Sequence, residues 1–424
     1  MKERSSGRSQ FTRRDFLATT AAVSALPLLG AADGSVARMQ RLLDVDPKFS
    51  GKGQTYDVGA LIPLTGSGAI YGSHGTDIFK LAAKDIAALG GPTLNFIYKD
   101  NKSGDPQAGV QAMREFGAAK TPMMLSSYSA DLGAALPGIK EYKIFTIDGT
   151  GGTSQFAMNK PYFWGSIATT PDDAFPGALK YIAAKIPKAK TFAFVGWDLG
   201  PLSDIVIKDL LKDVGTTMKQ VADERTKVGS TDYSASIQKV KAANPDVIFL
   251  AVYAEDVGYF LKQYATSGID KPVIAFAHSA AAAKIAGPAY EGTTFAFDYF
   301  HAEKPANPYA QYFVDSFKAA EGGTLPEFYA ANFYEDAFIL WECIRRVLKR
   351  GGDARDGDQL EAALRAKPSF PSVYGGDNNR PGTLTFDIET HSVKSRPMAI
   401  VQFKGGKIVP LASFNIDGAD FHLT

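Results

Sequence analysis

The stretch YDVGALIPLTGSGAIYGSHGTDIFKLAAKDIAAL, residues 56–89, changes its hydrophobic period once. Its first seven residues form a short apolar run of strand length. From Thr76 onward Ile78, Leu81, Ala82, Ile86 and Leu89 recur at helical spacing. Gly66, Gly68 and Gly72 lie between the two patterns, and Gly90-Gly91-Pro92 stops the helix. A strand, a glycine-rich turn and a helix make the first half of a βαβ unit.

The same order repeats outward from this stretch. LNFIYKD is strand-like and is followed by a helical pattern over 107–116. MMLSS is followed by a helix over 131–142 and then by IFTI. After Pro171 the rhythm restarts, with a helix over 174–186, TFAFVG, and a helix over 204–214. Next come a helix over 233–243, VIFLAV, a helix over 255–266 and VIAFA. Strands alternating with helices of this length predict an α/β protein, and two runs of such units predict two doubly wound, mostly parallel lobes. Pro- and Gly-rich stretches near 159–176 and 301–308 are candidate crossings between them. Two longer helices are expected over 307–320 and 327–350, then a β-hairpin region with a Gly-Gly turn.

Composition narrows the function. Lys and Arg total 46 against 45 Asp and Glu, and no basic block stands out, so nucleic acid is not expected as a partner. The 424 residues are enough for two domains. At the N-terminus, TRRDFLATTAAVSALPLLGAADGSVA places the twin arginines Arg13 and Arg14 before a modest apolar run and small residues ending at Ala37. This reads as an export signal of the twin-arginine type, and no later segment is apolar and long enough to span a bilayer. The single cysteine, Cys343, falls within a helical apolar pattern and reads as packing; one cysteine excludes an intrachain disulfide.

Ligands of open parallel sheets bind beyond the carboxyl ends of the strands. The residues at those ends are Pro63, Thr65 and Tyr71; Ser127 and Ser129; Asp148, Thr150 and Gly151; Trp197 and Asp198; Tyr253 and Glu255; and His278. Hydroxyls and free N–H groups at helix starts suit a carboxylate, although helix capping is the commoner role of a lone Ser or Thr. Trp197 and Tyr253 could wall an apolar ligand while their polar tips orient it; packing is the alternative for Trp197. Gly66, Gly68 and Gly72 nearly spell a dinucleotide fingerprint, with Asp100 as the distant acidic residue, but the spacing is one residue too long. No nucleophile elbow, zinc-protease motif or Walker lysine is present, and the five histidines lack metal-ligand spacing. Acid–base work by Asp148, Asp198, Glu255 and His278 across a cleft is the enzymatic alternative.

DVGALIPLTGSGAIYGSHGTDIFKLAAKDI, KDNKSGDPQAGVQAMREF, SSYSADLGAALPGIKEY, TDYSASIQKVKAANPDVIFLAVYAEDVGYFLKQYATSGI and YAANFYEDAFIL occur in an order that resembles the branched-chain amino acid-binding proteins of ABC importers. The resemblance runs from about Asp57 onward. It implies a type I periplasmic binding fold with two lobes, three crossovers and a cleft that closes on a ligand. The implied division is an export signal over 1–37, a linker over 38–54, lobe 1 over 55–168 with 297–395, and lobe 2 over 169–296 with 396–424. It further implies that Ser127 or Ser129, with Thr150 and Gly151, holds a ligand carboxylate, and that Tyr71 and Tyr253 are the cleft aromatics. A periplasmic monomer is expected, with a small-molecule ligand, ABC permease subunits as partners, no enzymatic activity, no metal and no cofactor. A sensory receptor of the same fold is the alternative.

Two departures matter. The family places an acidic residue after the strand corresponding to VIAFA, where it pairs with the ligand ammonium; this chain has Ala277, His278 and Ser279 there. The fourth loop reads DGTGGTSQF rather than a Ser-Pro-x-Ala-Thr run. A protonated His278 would suit another carboxylate, an aromatic or short organic acid, with binding weakening at high pH.

Overall fold

The computed structural model describes residues 28–424 apart from 128–131, 150–158, 168–170, 201–202, 205–206, 209–210, 213–217 and 417. The twin-arginine stretch therefore lies outside the described residues.

Two sheets organise two lobes. The first is parallel, in the order β2-β1-β3-β4-β5, from β1 (Thr55–Ile62), β2 (Thr93–Asp100), β3 (Met123–Ser126), β4 (Phe145–Asp148) and β5 (Phe163–Gly165). β3 and β4 are buried along their whole lengths, as expected for strands covered on both faces. The second sheet is built from β6 (Thr191–Trp197), β7 (Lys219–Thr226), β8 (Val247–Ala251), β9 (Val273–Ala275) and β10 (Thr294–Asp298), all parallel. The antiparallel strands β13 (Met398–Lys404), β14 (Lys407–Phe414) and β15 (His422–Leu423) extend it, giving β15-β14-β13-β10-β9-β8-β6-β7. The expected Gly-Gly turn joins β13 to β14: Lys404 pairs with Lys407, and Gly405 and Gly406 both take positive φ. A separate hairpin comprises β11 (Ser369–Asp377) and β12 (Arg380–Thr385).

The helices whose bounds fall among the described residues include α1 (Leu28–Leu42), α2 (Ala69–Ala88), α3 (Pro106–Ala118), α4 (Leu132–Tyr142), α5 (Pro171–Lys185), α6 (Ser234–Ala243), α7 (Asp256–Tyr264), α8 (Ala280–Ala286), α9 (Pro308–Ala320), α10 (Phe328–Lys349) and α11 (Gly357–Ala366). α10 is buried nearly all round and packs on α2, so this late helix belongs to the core of the first lobe. The segment expected as a linker, 38–54, is anchored there too. Met39 and Leu43 are buried, Trp341 Nε1 donates to the Ser50 carbonyl at 2.9 Å, and Arg345 donates to the Leu43 carbonyl at 3.0 Å.

The chain passes between the lobes three times, after β5, after β10 and before β13. Arg396 ties these passages together. Its guanidinium donates to the Ser166 carbonyl at 2.6 Å, stands 3.9 Å from Asp298 and 3.7 Å from Glu335, and lies over the Tyr374 ring at 4.1 Å. All of these side chains are buried. A charge removed from water needs this degree of pairing.

Candidate functional site

The carboxyl ends of the first sheet line up as a rim. Leu61 stands beside Ser126, Ser126 beside Asp148, and Asp148 beside Gly165. β1 sits between β2 and β3, so the strand order reverses beside it, and such a switch point is where open parallel sheets place ligands. The loop after β1 is held from within. Asp100 Oδ1 accepts from Leu64 N at 2.9 Å and Thr65 N at 3.2 Å, while Oδ2 accepts from Thr65 Oγ1 at 2.6 Å. Ser103 Oγ accepts from Gly68 N at 2.9 Å and donates to the Thr65 carbonyl at 2.7 Å. Burial opposes ionisation of Asp100, but the hydrogen bonds from Thr65, Lys102 and Leu64 outweigh it and lower its pKa. These amides already serve an internal anion, which removes the dinucleotide reading of the glycines. Gly66 is needed for its φ of +90°, and Gly72 because a Cβ there would meet the Pro63 carbonyl oxygen at 2.0 Å.

That close approach lets α2 begin at Ala69, seven residues before the expected Thr76. Tyr71 consequently lies in the first turn of a helix rather than in a loop. It is buried against Tyr329, edge to face with centroids 5.1 Å apart. Its hydroxyl accepts from Ala254 N, in the loop after β8, at 3.1 Å. Ala254 takes a left-handed φ of +51°, which an alanine adopts only when its surroundings impose it. Further along the boundary a Cβ on Gly229, after β7, would stand 3.1 Å from the Ser67 Cβ. Glu327, the residue before α10, accepts from Ala280 N, at the start of α8, at 3.3 Å. Among the described residues the two lobes thus approach at these three places.

Ser127 closes the end of β3. Its N–H donates to the Leu61 carbonyl at 3.1 Å and its carbonyl accepts from Asn101 Nδ2 at 2.8 Å. Its hydroxyl is buried and has no hydrogen-bond partner among the described residues. Ser129, Thr150 and Gly151 lie outside the described residues. Asp148 is fully buried and accepts from Ser126 Oγ at 2.6 Å, a structural pairing.

In the second lobe Trp197 and Tyr253 come together, with ring centroids 5.1 Å apart. The indole N–H of Trp197 donates to Asp256 Oδ2 at 2.7 Å, so Asp256 fixes that polar tip. The same oxygen accepts from Gly229 N and from Tyr233 Oη, each at 3.0 Å. Burial raises the Asp256 pKa despite the hydrogen bonds from Trp197, Tyr233 and Gly229.

His278 does not present a charge. Its Nδ1 is 2.9 Å from Tyr290 Oη, and its ring packs near Tyr290, Phe295 and Phe403. Burial lowers its pKa to about 4, so the imidazolium expected from the sequence does not form at neutral pH. Of the acid–base alternative, His278 is hydrogen-bonded to Tyr290 and Asp148 accepts from Ser126.

Sequence reasoning missed His74, Ala254, Asp256, Glu327 and Tyr329. Tyr329 opens the quoted run YAANFYEDAFIL, and Glu327 stands two residues before it, a signal that was present but not used. No sequence signal marks Ala254. No group of His, Cys, Asp and Glu suited to a metal occurs among the described residues.

The chain belongs to the periplasmic binding protein family, whose model matches residues 55–407. It is 27% identical over 354 residues to the Leu/Ile/Val-binding protein homolog 1 of Brucella melitensis, covering 78% of this chain and 90% of that one. It resembles the crystal structure of a leucine-binding protein from Thermotoga maritima (TM-score 0.73, 18% identity, 84% of this chain and 98% of that one). A solute-binding protein of an ABC transporter from R. palustris, solved with benzoate, is similar as well (TM-score 0.72, 20% identity, 87% and 98%). The fold is the type I periplasmic binding architecture, and the family is one of exported solute-binding proteins. No helix among the described residues is long and apolar enough to cross a membrane.

Proposed function

We propose that this chain is the extracytoplasmic substrate-binding component of an ABC importer. It captures an amino acid or related small carboxylate between two closing lobes and presents it to permease subunits. The observation that carries this reading is the buried Ser127 hydroxyl at the end of β3, which has no hydrogen-bond partner among the described residues. A buried hydroxyl without a partner costs stability unless a ligand acceptor completes it. Ser129, which follows β3 in the sequence, and Thr150 and Gly151, which follow β4, are assigned to the same carboxylate; Tyr71, Trp197, Tyr253 and the neutral His278 form the walls. Ligand stabilises the closed arrangement because it gains contacts from both lobes at once. The names of the relatives support both ligand kinds, Leu/Ile/Val in one case and benzoate in another.

Calorimetric titration against a panel of amino acids, branched-chain acids and benzoates tests the reading. Micromolar affinity for at least one carboxylate is expected; no binding across the panel overturns it. Export by the twin-arginine route is part of the proposal. Replacing Arg13 and Arg14 by lysine is expected to hold the precursor in the cytoplasm, and unchanged periplasmic yield would refute that route.

A further inference from the structure

Asp256 opens α7 and is buried. Its Oδ2 atom collects donors from three parts of the second lobe. Trp197 Nε1, at the end of β6, donates at 2.7 Å; Gly229 N, in the loop after β7, at 3.0 Å; and Tyr233 Oη, from the residue before α6, at 3.0 Å. The Ser230 N–H bonds the same carboxylate. Hydrogen bonds to a carboxylate are the stronger kind, and removing the acceptor leaves its buried donors unsatisfied.

The donors differ in what they face. Tyr233 is buried against Phe260 of α7 and serves the fold. Trp197 packs on Tyr253, with ring centroids 5.1 Å apart, and this pair is assigned above to the cleft wall. Gly229 takes a φ of +77° and faces the first lobe, where a Cβ built on it would stand 3.1 Å from the Ser67 Cβ. Ala254, whose N–H donates to the Tyr71 hydroxyl, lies two residues before Asp256. The turn between them is closed by Asp256 N, which donates to the Tyr253 carbonyl at 3.2 Å. Asp256 thus stands one hydrogen bond from a cleft ring, one from the Gly229 contact with the first lobe, and two residues from the Ala254 contact.

Resting on the reading of this cleft as a ligand site, we propose that Asp256 is a positioning residue that transmits ligand contact at Trp197 to the lobe-boundary contacts of Gly229 and Ala254. A ligand packed on the indole fixes the direction of Nε1–H, and with it the oxygen that Gly229 N shares. Bonds to one shared acceptor polarise one another, so a change in the first alters the second. Affinity and closure therefore both depend on Asp256, which acts through Trp197.

The chain has three tryptophans. Trp164 and Trp341 are fully buried and bonded to Glu361 and to the Ser50 carbonyl, so a ligand-dependent change in emission reports Trp197. The full mature protein is titrated with the carboxylate panel above, L-leucine and benzoate among its members, by calorimetry and by tryptophan emission. Small-angle X-ray scattering follows closure. Wild type is expected to give a saturable emission change that Trp197→Phe abolishes, and a smaller radius of gyration with the bound carboxylate. Asp256→Ala is expected to weaken binding at least about tenfold and to blunt that contraction. Asp256→Asn keeps an acceptor oxygen without the charge and should fall between the two. In the Trp197→Phe background, Asp256→Ala is expected to cost at least about threefold less affinity than in wild type.

The same loss in both backgrounds overturns the proposal. So does an emission change that survives Trp197→Phe, or a lowered melting temperature with unchanged affinity, which marks a purely structural carboxylate. If Asp256→Ala does not fold, Asp256→Asn carries the same cycle and is judged in the same way. If wild type binds a carboxylate and the cycle is additive, this inference alone fails. If wild type binds no carboxylate of the panel, the reading of the cleft fails with it.

Discussion

The Tyr71 hydroxyl, carried by the first turn of α2, accepts a hydrogen bond from the Ala254 amide at the end of β8, 3.1 Å away. Tyr71 follows a strand of the first sheet and Ala254 a strand of the second, so the bond joins the two lobes. The left-handed φ of Ala254 aims its N–H toward the first lobe.

Tyr71→Phe removes the acceptor and keeps the ring packed on Tyr329. The closed arrangement then leaves the Ala254 amide unsatisfied, and ligand affinity is expected to fall by roughly two- to tenfold. Calorimetry with whichever panel carboxylate binds wild type reads the change. Unaltered affinity would show that the bond forms without affecting closure.

Ser129→Ala combined with Thr150→Ala is expected to weaken carboxylate binding by about tenfold or more, because charge-assisted hydrogen bonds are lost. Ser127→Ala should lower affinity as well while leaving the free protein's melting temperature nearly unchanged, since the hydroxyl has no partner among the described residues. A large fall in melting temperature instead would mean that the hydroxyl serves the fold.

His278 makes two pH predictions. Its folded pKa is about 4, below the ordinary histidine value, so it stays neutral between pH 5 and 8 and contributes no titration to ligand affinity in that range. For stability, the unfolded chain binds the proton more readily than the folded one. The contribution of neutral, buried His278 is therefore present above the unfolded value and is lost as pH falls through the folded one. His278→Gln should flatten the fall in melting temperature between about pH 6.5 and 4. An equally steep fall in the variant would place the acid sensitivity elsewhere.

Arg396 makes the strongest stability prediction. Arg396→Met leaves Asp298 and Glu335 buried without their cation and is expected to cost about 3–5 kcal/mol. Chemical denaturation measures this, and a loss below about 1 kcal/mol would be typical of a surface pair instead. Burial raises Asp298 to about 7 even beside Arg396. Between the ordinary carboxylate value and about 7 the folded state holds the proton that the unfolded state releases, so this group's contribution to stability declines as pH rises through that window. Asp298→Asn should remove that part of the slope.

Local pattern carried much of the architecture. The buried runs of β3, β4 and β8 and the amphipathic spacing of α2, α3 and α9 are written in adjacent residues, so their type was legible. The start of α2 was not, because AIYGSHG has poor helical propensity and becomes helical only where Gly72 lets the helix settle on the Pro63 carbonyl. The three-residue strands β5 and β9 carry too little periodicity to mark their boundaries.

The site divides in the same way. Ser127, Tyr71, Trp197 and Tyr253 follow strands, and that rule is what singled them out as candidates. Asp256 and Glu327 escaped it because they lie at helix starts, and their partners are distant in sequence: Trp197 for Asp256 and Ala280 for Glu327.

By itself the sequence determined the βαβ order, the two lobes and which residue types stand at the strand ends, because these depend on periodicity and on neighbouring residues. Only the tertiary structure decided the charge of His278 and the partner of Tyr71. It also brought Glu327 to the Ala280 amide at the start of α8. Burial sets the first, and the approach of loops about 180 residues apart sets the second. The position of a carboxylate relative to a chain segment 47 residues away is fixed by packing between lobes, which no local pattern encodes.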